Sequence, residues 1–517
     1  MFSTPNGNVS ISGGNFTQVV HQPEQRYTEC RSTFECSFRS LINNAAIKKA
    51  FEPYYISGAT HDNNDFVDPP KCHPGTRTSF LDRLSDWVKD TETSVHISWL
   101  GGPAGAGKSA IARSLAERLE SEELLAGSFF FYHRDGRRNS EKFVVTTLAQ
   151  QLAFSVPAVQ VHLAKALTVE PTIYSRALPT QFAKLIIDPL LQTMSASIPP
   201  DTPCFRPMIM IVDGLDECHD IKARRLVLQT IRDAVPQFRG HLRFLITSRP
   251  EHDIQTFFKA MVASMEGQVK LIELKSDLQA YEDVRKYLVD NFKRIKQEHT
   301  LWAAFKPDWP PESSIDCLVD KSSGHFVYAS TVIKYIENVR DRPEKRLQDI
   351  TELRKTSKNP YGELDSLYLN ILRTCETDDR ERILLILSAC LLCSSAEDCS
   401  SFPNDFRRAP DAILRHDRII ESVLALEIGD VQLALLDLKS LVGPTDSFTI
   451  PPAHPRVGAE ISYPDIQRLE FWHKSFPDFL SDPKRAKEFY VPSELSSASV
   501  VKGCLRILSG NDGALEK

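Results

Sequence analysis

The stretch GPAGAGKS at residues 102–109 is the clearest indication of the fold of this chain, because it matches the phosphate-binding pattern G-x-x-x-x-G-K-[ST] in full. Glycines let the backbone curl so that successive amide groups point at phosphate oxygens, and a helix that follows adds the positive end of its dipole. The residues that we assign to nucleotide binding on this basis are Gly102, Pro103, Ala104, Gly105, Ala106, Gly107, Lys108, Ser109 and Ala110.

The sequence on either side of this loop supplies the context that the motif requires. The β-branched and aromatic run VHISWL at residues 95–100 predicts a strand, and apolar residues recur at helical spacing from Ile111 to Leu119. In a strand–turn–helix unit of this kind, Lys108 reaches the β- and γ-phosphates of a nucleoside triphosphate. We expect the Ser109 hydroxyl to join the ligand shell of Mg²⁺.

A second motif, MIMIVDGLDE at residues 208–217, has the form of an acidic metal-binding strand end. Its first five residues are apolar throughout, which is typical of a strand covered on both faces. Asp213 at the end of the run is predicted to hold Mg²⁺. Asp216 and Glu217 follow one turn later, where a carboxylate could orient and deprotonate an attacking water.

A third apolar strand, residues 242–246, is followed by Thr-Ser-Arg249-Pro. In a parallel sheet the carboxyl end of this strand opens onto the same crevice as the phosphate loop. Arg249 could therefore sense or stabilise charge on the γ-phosphate. Strands alternating with helical stretches predict an α/β, doubly wound parallel-sheet P-loop domain over residues 79–255, and helical patterns dominate after it.

The bulk composition excludes several classes of protein. A formal net charge of −6 gives no electrostatic case for nucleic acid or an anionic membrane. No stretch approaches the ~18 consecutive apolar residues of a membrane span, and the N-terminus lacks a secretory signal. Eleven cysteines without a disulfide framework fit a reducing compartment, so we predict a cytoplasmic protein. The one CxxC pair, Cys390 and Cys393, is predicted to be two core cysteines.

With these three motifs together, the chain resembles the NACHT class of signal-transducing ATPases, STAND-class members of the wider AAA-like P-loop group. Within that class it resembles a large fungal set with an N-terminal region of the nephrocystin-3 type. The stretches that carry the resemblance are GPAGAGKS (102–109), DGLDE (213–217), TSRPE (247–251), PPKCHPGTR (69–77), SFFFYHRD (128–135), SGHFVYASTVIKYI (323–336) and PYGELDSLYLNIL (360–372).

The resemblance implies a function that the spacing does not. Such proteins are similar to NOD-like receptors, in which ADP locks the domains together and exchange for ATP lets them open and oligomerise. The stretch FWHKSF (471–476) looks like the winged-helix motif whose histidine, here His473, touches the ADP β-phosphate. A Gly-x-Pro element that packs on adenine corresponds to GHF at residues 324–326, which lacks the proline. Thr76 and Arg77 are alternative contacts for the base.

The same resemblance sets the expected domain order, an α/β P-loop domain followed by helical and winged-helix domains. The predicted divisions are a flexible tail (1–25), a linker and helical lead-in (26–78), a NACHT P-loop NTPase domain (79–255), a helical domain (256–355), a winged-helix-type helical domain (356–485) and a C-terminal tail (486–517). Within the tail, residues 11–20 carry the hypothesis of a short β-forming assembly segment.

These observations favour a signalling switch that binds ATP or ADP with Mg²⁺ and hydrolyses ATP slowly. Its expected partners are further copies of itself and an unidentified protein effector, in fungal innate immunity or incompatibility. The alternative is a continuously cycling AAA-type remodelling ATPase with an arginine finger at Arg134, Arg137 or Arg138. A kinase and a nucleotide-free scaffold are disfavoured by the DGLDE box and the intact phosphate loop. No guanine-binding signature is evident, and the resemblance favours adenine.

Overall fold

A computed structural model describes most of the chain between residues 47 and 492. The ranges inside those limits that it leaves out are 64–69, 134, 196–205, 239, 275–277, 300–304, 339–341, 354–361, 376–379, 396–416, 437, 439 and 446–467. The predicted N-terminal tail with its assembly segment, Arg134 and most of the predicted C-terminal tail therefore lie outside the described residues.

Five parallel strands form the central sheet, in the order β2-β3-β4-β1-β5. The P-loop strand β1 and the acidic strand β3 both pair with β4, which lies between them. This arrangement confirms the predicted α/β parallel-sheet fold. The strands are β1 Ile97–Gly101, β2 Leu125–Phe130, β3 Met208–Asp213, β4 Leu242–Ser248 and β5 Val269–Glu273.

Helices cover both faces of this sheet, which explains the unbroken apolar run of β3. Successive side chains of a strand point to opposite faces. Met208 and Met210 enter the core beneath one face, and Ile209 and Ile211 enter the core beneath the other. The helices of this part are α1 Thr78–Lys89, α2 Lys108–Ser121, α3 Val144–Ser155, α4 Gln160–Val169, α5 Leu178–Phe182, α6 Asp188–Ser195, α7 Ile221–Ala234 and α8 His252–Ser264.

The fifth strand corrects one sequence expectation, since the apolar pattern ended the sheet domain at residue 255. The sheet continues to β5, which pairs in parallel with β1 through Ile97 and Val269. As an edge strand, β5 has one neighbour, and Lys270, Leu271 and Glu273 on it are exposed. Residues 269–273 are therefore not apolar throughout, so β5 lacks the continuous apolar run that predicted β3.

A second unit of helices and a hairpin follows the sheet. Its buried residues, from α9 to Val491, form one hydrophobic core. Strands β6 and β7 pair antiparallel through Val442 and Phe471. The elements are α9 Leu278–Glu298, α10 Glu312–Ser322, α11 Phe326–Ile336, α12 Pro343–Glu352, α13 Gly362–Thr374, α14 Arg380–Ser395, α15 Asp417–Leu424, α16 Asp430–Leu435, β6 Val442–Thr445, β7 Arg468–Phe471, α17 Ser475–Leu480 and α18 Pro483–Ala486.

A helical region after the sheet is thus confirmed. The hairpin of β6 and β7 lies just ahead of α17 in the chain. The winged-helix assignment and the other domain boundaries stay predictions. Among the described residues, no single helix has the length and apolar character to cross a membrane. One sharply bent pair of helices, Glu141–Ser155 and Pro157–Val169, has this length and apolar character only when the two helices are taken together. Both members of that pair contribute buried residues, such as Leu148 and Leu163, to the core beside the sheet.

Candidate phosphate-binding site

The phosphate loop connects β1 to α2, which begins at Lys108 as the sequence predicted. Gly105 and Gly107 adopt positive φ angles of 76° and 91°, a region that residues with a Cβ enter only with strain. A Cβ built on Gly105 would lie 2.1 Å from Val327 Cγ1, since the start of α11 packs directly on the loop. The backbone amide of Val327 also donates to the Gly105 carbonyl at 3.4 Å. The helical region therefore closes one side of the loop.

Lys108 folds back over its own loop. Its Nζ donates to the carbonyl oxygens of Gly102 at 2.8 Å and Pro103 at 2.9 Å. Burial lowers the pKa of Lys108, and the nearby carboxylate of Asp216 opposes that shift. A phosphate oxygen could take over these hydrogen bonds with a full opposing charge, so the position of the ammonium suits an anion at the loop.

Asp213 and Ser109 meet at the carboxyl end of β3. The buried Asp213 carboxylate accepts hydrogen bonds from the Thr247 hydroxyl on β4, at 2.5 Å, and from the Ser109 side chain. Burial raises the pKa of Asp213 to about 6 despite both bonds. A divalent cation beside this pair would stabilise the carboxylate anion, and hydroxyl and carboxylate oxygens are ligands that Mg²⁺ prefers. The residues present therefore fit the predicted metal.

Arg249 joins the end of β4 to the second acidic position. Its backbone amide donates to Asp216 Oδ1 at 2.9 Å, and its Nε lies 3.4 Å from Asp216 Oδ2. Its Nη1 donates to Asp478 Oδ2 in α17, also at 2.9 Å. Lys474 Nζ approaches Asp216 to 3.9 Å. Asp216 is therefore engaged in ion pairs, and Arg249 links the sheet domain to the C-terminal helical unit.

Glu217 is held by a residue that the sequence analysis did not single out. The backbone amide of His133 donates to Glu217 Oε2 at 3.1 Å, and His133 Nδ1 lies 3.0 Å from the same oxygen. Burial would raise the pKa of Glu217, but its charge and hydrogen-bond interactions with His133 outweigh burial and hold that pKa below its usual range. His133 lies in the quoted stretch SFFFYHRD, where one histidine in a loop gives no sign of its partner.

His473 lies beside the phosphate loop, although it is far along the chain. Its Cε1 is 3.8 Å from the position of a Cβ built on Gly105. The Ser475 amide donates to its Nδ1 at 3.1 Å, so the neutral ring carries its proton on Nε2. Burial first, then the charge of Arg249, lowers the pKa of His473 to about 4. The ring is therefore a neutral hydrogen-bond donor at pH 7.

The two candidate base contacts differ in what they touch. The buried Thr76 hydroxyl donates to the His73 carbonyl in its own turn at 2.7 Å. Arg77 reaches the loop, donating from Nη2 to the Ala106 carbonyl at 3.4 Å, and its guanidinium lies 5.5 Å from the centre of the Phe326 ring. The guanidinium of Arg77 and the ring that stands in for the missing proline are thus brought together next to the loop.

Two of the three candidate finger arginines are bound within the chain. Arg138 is buried, lies over the Tyr132 ring and donates to the Phe130 carbonyl at 3.4 Å. Arg137 donates to the carbonyls of Pro53 and Tyr55, each at 3.3 Å. Both side chains therefore tie the loop after β2 to its own domain.

Residues 75–249 match a family model described as nephrocystin 3, N-terminal. The matched range contains the phosphate loop, the acidic motif and Arg249. Over this range the chain is similar to the nephrocystin-3 N-terminal family, and the sheet domain has the P-loop fold. The match ends before β5, so the region with His473 lies outside it.

Several solved structures show a distant similarity to the chain. A Walker-type ATPase of Pyrococcus abyssi is 15% identical with a TM-score of 0.35, covering 73% of this chain and 94% of its own. The ORC2 protein of Aeropyrum pernix, determined as ADPNP–ADP complexes, is 13% identical with a TM-score of 0.34 and coverages of 87% and 98%. Drosophila ORC bound to DNA is 12% identical with a TM-score of 0.34, covering 76% of this chain and 92% of its own. No curated protein matches the chain.

Proposed function

We propose that this nephrocystin-3-type P-loop protein is a nucleotide-dependent signalling switch. It binds ATP or ADP with Mg²⁺, hydrolyses ATP slowly, and couples the bound nucleotide to a closed-to-open or oligomerising transition. One observation carries the proposal: a segment of the C-terminal helical unit, with His473, Lys474 and Asp478, contacts the residues around the phosphate loop.

Phosphate binding follows from the loop itself. Amides of residues 102–109 and the positive end of α2 cradle the phosphates, and Lys108 exchanges its carbonyl partners for phosphate oxygens. Ser109 and Asp213 would hold Mg²⁺, which when bound neutralises charge between the β- and γ-phosphates. The neutral His473 can donate from Nε2 to a phosphate at the loop, which favours a closed state with ADP.

Arg249 is the residue that can distinguish a triphosphate from a diphosphate. It ends β4 at the crevice and already faces two carboxylates, Asp216 and Asp478. A γ-phosphate next to Arg249 would attract the guanidinium and repel Asp478, so the ion pair between the two domains would weaken. A diphosphate brings no charge to that position, and the ion pair persists.

A switch of this kind needs several contacts that change together. Moving an equilibrium from about 1:99 to 99:1 requires roughly 5.5 kcal/mol of differential binding. The Arg249–Asp478 pair, with side chains 21% and 36% exposed, supplies about 1 kcal/mol because solvent screens it. The weaker contact between Lys474 and Asp216, which a γ-phosphate would also disturb, adds to it. Several modest contacts at one site can therefore shift the population.

The same geometry favours a switch over a continuously cycling remodelling ATPase. Asp216 is paired with Arg249, and Glu217 accepts two hydrogen bonds from His133. The hydrogen bonds on Glu217 weaken it as a proton acceptor, which implies slow turnover. Arg138 is buried and so is not presented to a neighbouring subunit in this conformation, and the exposed Arg137 donates to a carbonyl of its own domain.

Self-association on opening and recruitment of a protein effector in the cytoplasm complete the proposal, because release of α17 would uncover apolar and charged surface. Nucleotide extraction from the purified protein tests it. We expect tightly retained ADP, slow ATP turnover and a larger particle mass with ATP than with ADP. An empty site with brisk turnover would favour the remodelling ATPase, and failure of the folded chain to bind nucleotide and Mg²⁺ would exclude both.

A further inference from the structure

We propose that His133 restrains Glu217 and thereby slows hydrolysis, so that the triphosphate state of the switch persists. The inference rests on the proposed function, because it gives Glu217 the role of accepting a proton from the attacking water. His133 is then a positioning residue, which acts on the reaction only through Glu217.

The geometry of the pair is unusual in that one residue supplies two donors to one oxygen. The His133 amide and ring Nδ1 lie 3.1 Å and 3.0 Å from Glu217 Oε2. Both side chains are about one-fifth exposed, at 22% and 21%. Solvent therefore reaches the pair, as a carboxylate that accepts a proton from water requires.

The loop that carries His133 is held in place, which a restraint requires. The Phe131 amide donates to the Asp213 carbonyl at 2.9 Å, joining the ends of β2 and β3. Asn139 Nδ2 donates to the His133 carbonyl at 3.3 Å, and the His219 amide donates to the Asn139 carbonyl at 3.0 Å. The loops after β2 and β3 therefore form one unit, and His133 stays at a fixed distance from Glu217.

The chemistry explains why this bond slows the reaction. In hydrolysis, the water oxygen bonds to the γ-phosphorus while the bond from that phosphorus to the β–γ bridging oxygen breaks. The water proton passes to Glu217 and then to the phosphate product, so ATP and water yield ADP and phosphate. Hydrogen bonds donated to a carboxylate stabilise its anion and reduce its basicity. The lowered pKa of Glu217 agrees with this effect.

Other charges around Glu217 do not replace the ring. Lys474, Lys108 and Arg249 act on this carboxylate at longer range, through charge rather than through a direct bond. Replacing the ring leaves them, and the amide of residue 133, in place. A variant of His133 therefore removes the charge and the hydrogen bond of its ring from Glu217 and leaves these other groups in place.

The test is single-turnover ATP hydrolysis by the full chain, with ATP affinity measured separately. His133→Phe keeps a ring beside Tyr132, whose centroid lies 5.5 Å from that of His133, and removes the Nδ1 donor. We expect hydrolysis about tenfold faster at unchanged affinity, since a hydrogen bond to a charged group is worth about that factor or more. His133→Asn, which keeps a short donor but no charge, should hydrolyse at a rate between those of the wild type and His133→Phe. His252→Ala, at the exposed start of α8, is the matched control.

The double variant His133→Phe/Glu217→Gln decides whether the gain passes through Glu217, and it should be as slow as Glu217→Gln alone. An unchanged or reduced rate in His133→Phe with intact ATP binding would overturn the inference, as would a gain that survives in the double variant. If His133→Phe misfolds, His133→Ala is read against the same expectations. A wild-type protein that neither binds nor hydrolyses ATP would instead refute the proposed function, and this inference with it.

Discussion

Arg249 and Asp478 are separated by 229 positions in the chain, yet Arg249 Nη1 donates to Asp478 Oδ2 at 2.9 Å. The pair joins the carboxyl end of β4 to α17, so it connects the sheet domain to the C-terminal helical unit beside the phosphate loop. Asp216 also contacts Arg249, at 3.4 Å. Any group that competes for this guanidinium therefore acts on the contact between the two units.

Asp478→Asn should weaken the closed state. The substitution preserves shape but removes the negative charge opposite Arg249, so we expect ADP release to accelerate about twofold to fivefold, as for loss of a solvent-screened charge pair. Stopped-flow displacement of a fluorescent ADP measures the rate. Glu312→Gln is the control, because Glu312 pairs with Arg285 on the exposed surface of the helical unit. Equal release rates in the wild type and Asp478→Asn would refute the role of this ion pair.

Lys108→Ala should abolish binding of nucleotide. The ammonium that turns from the Gly102 and Pro103 carbonyls to the phosphates is lost. The wild type should gain about 2.7 kcal/mol of stability at a nucleotide concentration one hundred times the Kd. The variant should gain none. Thermal unfolding with and without ADP and Mg²⁺ measures both, and undiminished stabilisation in Lys108→Ala would contradict the assignment of the loop.

The pH dependence of closure should carry a contribution from His473. Its pKa is about 4 in the folded chain against an ordinary value of 6.5, so only the unfolded or released ring takes up a proton between those values. Stability from this group is complete above pH 6.5 and is lost as the pH falls towards 4. His473→Gln should flatten the fall in that window.

Asp213 changes the stability with pH in the opposite direction to His473, so the two contributions must be separated. Its pKa is raised from 3.8 to about 6, so the stability it contributes is lost as the pH rises between those values. The difference between the wild-type and His473→Gln profiles cancels Asp213. Identical profiles in chemical unfolding from pH 4 to 7 would show that the buried histidine does not contribute.

Gly105→Ala should destabilise the protein more than Gly107→Ala. Both positions have positive φ, so each substitution costs about 1–2 kcal/mol of strain. Only the Cβ at residue 105 meets another group, Val327, whereas a Cβ at residue 107 has nothing within 4 Å. Overpacking adds about 1–3 kcal/mol. Urea unfolding of the two variants tests this, and equal losses would argue against tight packing of α11 on the loop.

Much of the site could be predicted from sequence because its chemistry is local. The loop and Lys108 form one strand–turn–helix unit, and Asp213 is fixed by the apolar strand before it. The apolar runs of β1, β3 and β4 also predicted the parallel-sheet fold. The resemblance drew attention to His473, and the structure brings that residue beside the loop.

What the sequence did not provide depends on contacts between distant segments. The hydrogen bond between His133 and Glu217 forms because β2 and β3 are neighbours in the sheet. No sequence pattern links the two residues. The pairing of Arg249 with Asp478 depends on how the helical unit packs against the sheet. Strand β5 was missed because an exposed edge strand needs no continuous apolar run.

Hydrogen exchange across residues 471–480 tests the switch most directly, because this segment carries His473, Lys474 and Asp478. The full chain is compared with bound ADP and Mg²⁺ and with a non-hydrolysable ATP analogue and Mg²⁺. The account predicts that this segment is strongly protected with ADP and exchanges markedly faster with the triphosphate. In Asp478→Asn the segment should exchange at the same fast rate with either nucleotide. Equal protection of the wild-type segment with both nucleotides, each shown to be bound, would contradict it.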